Sequence, residues 1–363
     1  MKTLKTIFKN TFLVVIATTS LFSCSKNDEA TPEPDKPITV NTIAGSTPGD
    51  FDAMGTNAKL QAPFFSVQDP QGNIYFTELA NHKIKKITPA GAVSTFAGTG
   101  VAGSDNGSAL LATFNQPRGI AIDNLGNLYV TDLGSHKIRK ITPQGLVSTF
   151  AGSTQGDQDV VEAVGSTALT AKFDSPYGIC VDNSGNILVC DYTNSKIKKI
   201  NPSGTAVSTF VGTTYGDVDG NALTAKINPT SITKDSQGNF YFTELNNNKI
   251  KKLTSAGVVT TIAGSTLGDI DDTGTAAKFN SPTGITTDNS GTLYVSDTYN
   301  HKIKKLTSAG VVTTIAGNNT TGDVDGLATA ARFNLPIGIM VDASGSLIFC
   351  DANNHKIKKV TLK

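Results

Sequence analysis

Six in-phase copies of one unit occupy the chain from residue 38 onward. The segments PRGIAIDNLGNLYVTDLGSHKIRKITPQGLVSTFAG, PYGICVDNSGNILVCDYTNSKIKKINPSGTAVSTFVG and PTGITTDNSGTLYVSDTYNHKIKKLTSAGVVTTIAG align almost without adjustment. The prolines that open the copies are Pro63, Pro117, Pro176, Pro229, Pro282 and Pro336, at intervals of 54, 59, 53, 53 and 54 residues. Each copy holds four short runs of β-branched and aromatic residues separated by turn signals, the pattern of four strands. In the second copy the runs are GIAID, NLYVTD, KIRKIT and LVSTFAG. Between the first two, Asp123 can accept hydrogen bonds from nearby amides and Gly126 can take a positive φ, which makes a tight turn. A length of 363 residues would by itself suggest two or three domains, but a repeat grows one continuous structure instead.

Four-stranded antiparallel units at a fixed period above about 40 residues specify an all-β propeller, here of six blades. The two ends of the repeat region sharpen this. The sixth copy stops after its third strand, KIKKVTLK, and the region begins with a lone fourth strand, Thr39-Val40-Asn41-Thr42-Ile43-Ala44-Gly45. Joined, they complete one blade and close the ring without a dangling sheet edge. An open superhelix would need distinct polar caps, and the terminal copies carry none.

The recurring Pro-x-Gly-Ile-x-x-Asp, Gly-Asn-x-Tyr-Val-x-Asp, Asn-His-Lys-Ile and Thr-x-Ala-Gly motifs resemble the NHL repeat family of six-bladed propellers, over about nine-tenths of the chain. The resemblance implies the fold. It implies no single function, because propellers of this family include protein-binding, RNA-binding and enzymatic members.

Ahead of the repeats the chain opens MKTLKTIFKN, with Lys2, Lys5 and Lys9 and no acid, then runs apolar through Phe12–Ile16 to Leu21-Phe22-Ser23-Cys24. A basic stretch before an apolar run too short to span a bilayer predicts a secretion signal over residues 1–23. LFSC resembles a bacterial lipobox, which implies a lipid on Cys24; Ser25 in place of an aspartate implies the outer membrane of the cell envelope. Acyl chains anchor at about 0.8 kcal/mol per buried CH₂. Residues 24–37, charged and proline-rich, predict a disordered tether to the propeller domain at 38–363. Loss of the leader removes three lysines and no acid, so the formal charge of +1 becomes −2 in the mature chain. That balance excludes nucleic acid as a partner, since neutralising phosphates requires a basic face.

Several repeated side chains invite a chemical reading. The loops between blades carry versions of Gly-Asp-x-Asp-Gly, as in residues 216–220, 268–272 and 322–326. Asp217, Asp219, Asp323 and Asp325 look like half of a calcium loop, but the distal bidentate glutamate is missing. The weightier reading has them capping the short helical turn that delivers Phe114, Phe173, Phe279 or Phe333 to the core. His82, His136, His301 and His355 share one repeat position, with Ser195 and Asn248 in the other copies. That position lies roughly 15 Å from the axis, so neighbouring rings are similarly far apart. Two ligands of one zinc must sit within about 3.5 Å. The histidines are therefore expected to fix turns, bonded near the preceding acid, such as Asp132 or Asp297.

That acid recurs in all six copies, as Glu78, Asp132, Asp191, Glu244, Asp297 and Asp351. Catalysis by an acid–base pair needs the ring's symmetry broken, so sixfold repetition points to structure. The lysines of Lys-Ile-Lys-Lys are expected to lie solvated or snorkelling along the blade surfaces. Cys180, Cys190 and Cys350 have no metal-like spacing and read as small apolar residues rather than as a Cys180–Cys190 disulfide.

Function is better sought where the copies differ. The residue after each opening proline is Phe64, Arg118, Tyr177, Thr230, Thr283 and Ile337, and these should meet at the mouth of the central channel. Two aromatics and an arginine in blades one to three suit a sugar ring, an acidic group or a peptide. Beside them the loop before blade three is longer, with Val160, Val161, Glu162 and Ala163 inserted. The leading expectation is a monomeric, non-catalytic binding or scaffold module for a protein or glycan, without a cofactor. The alternative is a metal-dependent lyase or lactonase, which would need His, Glu, Asp or Asn pointing into the channel. The inner strands offer mainly aliphatic and hydroxyl groups, with Gln68 and Lys234 as exceptions.

Overall fold

A computed structural model describes residues 37–362. The expected signal sequence, Cys24 and all but the last residue of the tether lie outside the described residues. The repeat region forms six antiparallel sheets, each with four strands running in order from the axis outward. Every inner strand starts at one of the six prolines: Pro63–Gln68, Pro117–Ile122, Pro176–Val181, Pro229–Lys234, Pro282–Thr287 and Pro336–Val341. Neighbouring inner strands touch all the way round, including blade one against blade six.

Blade six is built from both ends of the ring. Its inner three strands are Pro336–Val341, Leu347–Asp351 and Lys356–Thr361, and its outer strand is Thr39–Ala44. Thr39 pairs with Thr361, Val40 with Val360 and Ala44 with Ile357. Two-residue strands from three inter-blade loops, Gly107–Ser108, Gly220–Asn221 and Gly326–Leu327, add to the outer edges of blades two, four and six. Such covered edges cannot template pairing with another chain.

Close packing at the axis explains the glycine of Pro-x-Gly. A Cβ on Gly284 would lie 2.1 Å from the Ile337 carbonyl oxygen, and one on Gly119 would lie 2.3 Å from that of Tyr177. Only a glycine lets the next inner strand approach that far. Hydroxyls of the second strands then tie blade to blade. Thr77 donates to the Arg118 carbonyl at 2.6 Å, Thr131 to that of Tyr177 at 2.6 Å and Thr243 to that of Thr283 at 2.7 Å. Cys190 and Cys350 take the same repeat position, buried and with free thiols; Cys180 is also free. Farther out, Phe114, Phe173, Phe279 and Phe333 are fully buried between blades. In the tight turns, Asp123 accepts from the amides of Leu125 and Asn127, with Gly126 at φ 80°.

Candidate functional site

The inter-blade loops neither cap helical turns nor hold open carboxylate pairs. Each loop leans on the following blade, and in all but the loop before blade two its two aspartates clasp the second lysine of Lys-Ile-Lys-Lys. Lys251 Nζ donates to Asp217 at 2.7 Å and Asp219 at 2.6 Å, and lies 3.8 Å from Glu244. Asp219 also accepts from the Thr261 amide at 2.7 Å, and Lys249 pairs with Asp217. Asp323 and Asp325 hold Lys358 in the same way, as Asp50 and Asp52 hold Lys85. Equivalent pairs surround Lys198 and Lys304. A calcium ion at these aspartates would have to displace an ammonium group already seated there. Of the turns at Gly55–Asn57, Ala168–Thr170 and Gly274–Ala276, only the second has a side-chain cap, from Thr167.

These lysines correct the expectation of solvated side chains. Lys85, Lys198, Lys251, Lys304 and Lys358 are fully buried. The middle of the third strand is covered by a neighbouring blade on each face, so both of its alternating sides are shielded from water there. Ile250 and Lys251, pointing opposite ways, are both buried. Blade two makes the exchange as a set. Arg139 replaces the lysine, Ser104 and Asn106 replace the two aspartates, and the guanidinium bonds Asn106 Oδ1 at 2.8 Å and Asp132 at 3.2 Å.

The six repeated acids are fully buried as well, and do not ring the channel. Each accepts a backbone amide from the residues just before its own copy's opening proline, as Asp132 does from Asn115 at 2.6 Å and Asp297 from Asn280 at 2.7 Å. Burial pushes Glu78, Asp191, Glu244 and Asp351 up to about 7, and Asp132 and Asp297 up to about 6. In the loops, partial burial also works against ionisation, but the lysines overcome it. Asp50, Asp52, Asp217, Asp219, Asp323 and Asp325 end below the usual carboxylate range. Between about pH 4 and 7 the folded state holds more protons on the buried acids than the unfolded chain does, so their contribution to stability falls as pH rises. The loop aspartates act oppositely, losing their contribution as pH drops below about 4. Thermal unfolding should therefore peak near pH 4 and occur at a lower temperature at pH 8; a steady rise from pH 4 to 8 would contradict this assignment.

The histidines do fix turns, but not by bonding the preceding acid. They adopt the left-handed conformation, which turns the ring toward the neighbouring blade. His82 Nδ1 accepts from the Gln116 amide at 3.0 Å, His136 from Ser175 at 3.3 Å, His301 from Leu335 at 3.3 Å and His355 from Ala62 at 3.1 Å. Asn248 makes the same bond to the Ser281 amide at 2.9 Å. Ser195 stands where that donor is missing: Asn228 directly follows Ile227, one residue fewer than in the other loops.

Where the ring's symmetry breaks, the structure brings Phe64, Arg118 and Tyr177 together. The Arg118 guanidinium lies 4.9 Å from the Phe64 ring centre and 4.3 Å from that of Tyr177. Phe64 and Tyr177 belong to blades that are not neighbours, yet their rings meet at 5.7 Å, spanning the inner strand of blade two. Arg118 is partly exposed, Phe64 and Tyr177 are buried, and burial lifts the Tyr177 hydroxyl to about 12. Among the described residues no carboxylate lies within 4 Å of Arg118, and its Nε has no hydrogen-bond partner. The other three positions do not join this cluster as free groups. Thr230 and Thr283 are buried with their hydroxyls engaged internally, and Ile337 is core.

Tyr192 extends the cluster, 5.8 Å from Tyr177, and its hydroxyl accepts from Asn246 at 2.9 Å. Tyr299, 56% exposed, lies within electrostatic reach of Tyr177. Sequence reasoning missed these two tyrosines. Comparing the copies just after the second-strand acid would have found them, since Tyr192 stands there against Leu79, Leu133, Leu245, Thr298 and Ala352. The long loop before blade three does not border this site. Val160 pairs with Val207 on the outer strand, and Glu162 accepts from Asn201 and Thr205 at the rim.

A wide central cavity of about 930 Å³ lies along the inner strands and reaches the turns at their far ends, lined by residues such as Gln68, Cys180, Thr286 and Asp342. None of the six proline-following residues lines it. Gln68 accepts from the Ala343 amide, while Lys234 turns aside to Asn183 at 2.6 Å. Among the described residues, no three His, Cys, Asp or Glu side chains converge as a metal site.

A closed ring of six four-stranded blades, clamped by buried lysine–aspartate sets and broken in symmetry at one aromatic–arginine cluster, defines a repeat propeller with one distinctive face. The NHL repeat model matches residues 173–200 and 279–306, and the Teneurin NHL domain model matches residues 100–161. These stretches are similar to NHL repeats, and the ring they belong to is a six-bladed β-propeller. It is 27% identical over 337 residues to NHL repeat-containing protein 2 of Homo sapiens, an alignment covering 82% of this chain and 46% of that protein. The chain thus spans about half the length of the curated relatives it matches first. Its fold is similar to that of an auxiliary nutrient binding protein from Bacteroides thetaiotaomicron, with a TM-score of 0.69 at 17% identity, covering 89% of this chain and 76% of that one. It is also similar to streptogramin B lyase, with a TM-score of 0.55 at 19% identity, covering 90% and 98%.

Proposed function

We propose that this propeller is a non-catalytic binding or scaffold module, lipid-anchored through Cys24 at the cell envelope, that takes a protein or glycan on the face around Arg118. The observation that carries the reading is the guanidinium packed against Phe64 and Tyr177 with no carboxylate of its own. Such a group supplies a flat stacking surface and a hydrogen-bonding fork at one place on an otherwise repetitive ring. The fold likeness to a nutrient binding protein agrees with it.

A second reading, a metal-dependent lyase, draws on the 33% identity over 96 residues to a probable peptidyl-alpha-hydroxyglycine alpha-amidating lyase of Caenorhabditis elegans, which covers 25% of this chain. A glycan array and an envelope pull-down with the purified chain, run beside metal analysis, separate the two. The binding reading expects a ligand whose capture is lost in Tyr177→Ala and a preparation without stoichiometric metal. A tightly held metal in one-to-one ratio would reverse the order.

A further inference from the structure

We infer that Arg118 is the receptor for a ligand carboxylate, carried by a molecule whose flat apolar flank lies against the partly exposed Tyr192; this rests on the binding reading above. The chain sets a carboxylate beside each of its fully buried cations. Lys85, Arg139, Lys198, Lys251, Lys304 and Lys358 are fully buried, and each has a carboxylate within 4 Å. Arg118 is seated against two aromatic rings that touch each other, and has none. Ring faces attract a guanidinium, but they do not satisfy the N–H groups in its plane. The Nε atoms of Arg118 and Arg139 both lack a hydrogen-bond partner, but Arg139 has its charge met by Asp132 and Arg118 has no such acid.

A carboxylate is the acceptor that matches this need. It meets the guanidinium fork with two parallel hydrogen bonds and neutralises its single charge. A neutral ligand would leave the charge unpaired. The site is also open on one side, since Tyr192 is partly exposed and Tyr299 is 56% exposed. Asn246 holds the Tyr192 hydroxyl, so that ring is placed before any ligand arrives.

Sugar acids and peptide C-termini both combine a carboxylate with an apolar flank, and the test separates them. The chain has three arginines, Arg118, Arg139 and Arg332, so its Nε–H signals in a nitrogen-15 NMR spectrum are few and Arg118 is assigned from the Arg118→Lys variant. Galacturonate and N-acetylphenylalanine are titrated into the full-length chain beside galactose and N-acetylphenylalanine amide. At least one acid should shift the Arg118 signal saturably, about tenfold more tightly than its neutral counterpart. The acid that does so identifies the source. Arg118→Gln should weaken that binding about tenfold, and Arg118→Lys should not restore it, because a lysine lacks the fork. The proposal is overturned if neither acid moves the signal, or if the acid binds Arg118→Gln as it binds the native chain. An array or pull-down ligand that binds Arg118→Gln undiminished would remove the carboxylate receptor while leaving the binding module standing.

Discussion

Replacing Lys251 by alanine should lower the stability of the propeller by about 3–5 kcal/mol, the range for breaking a buried charge set by removing one partner. The ammonium is fully buried and meets Asp217, Asp219 and Glu244 together. Without it Glu244 keeps its buried site with no cation beside it, and Asp219 loses the partner that places it over the Thr261 amide. Lys249→Ala is the matched control. Its ammonium pairs with Asp217 alone and its side chain is 21% exposed, so about 1 kcal/mol or less should be lost. Denaturant midpoints of the two variants check this, with an unchanged slope showing that both unfold from the same native state. Equal midpoints would mean that the buried lysine is no more than another surface pair.

Deleting residues 38–45 should lower the melting temperature by at least about 5 °C and leave one cooperative transition. The segment supplies the outer strand of blade six and buries Val40 and Ala44 completely. Its loss bares the edge of Lys356–Thr361 and takes away Thr42, whose amide Asp325 accepts at 2.7 Å. The damage therefore spreads from the closing strand to the clamp around Lys358. Melting at the native temperature would show that the ring does not depend on its first strand.

The architecture was legible because its causes are local and repeated. The opening prolines, the Asp-x-x-Gly turns and the lone strand at Thr39 each mark a boundary by their own conformational preference, and six copies remove chance. The buried lysines were not legible for a physical reason. Lys-Ile-Lys-Lys alternates like a half-exposed strand, and only the neighbouring blade, which no local pattern describes, closes its second face. The histidines misled in the same way, since their partners lie in the next repeat. The candidate site was legible in part: differences among the copies pointed to Phe64, Arg118 and Tyr177. The burial of Thr230, Thr283 and Ile337, and the arrival of Tyr192, depend on which side chains cross the axis, which repeat spacing does not encode.

The pairing of Thr39 with Thr361 joins residues from opposite ends of the synthesised ring. During translation the outer strand of blade six is made before the rest of the ring, and it must wait for the ring's final strands before it can pair. Blades one to five each contain all four of their strands in one stretch and can form as they emerge. Completion of the ring is therefore the longest-range event in folding, and contacts of such separation form slowly. Until then the first strand is an unpaired β segment, the kind of species that needs protection from association.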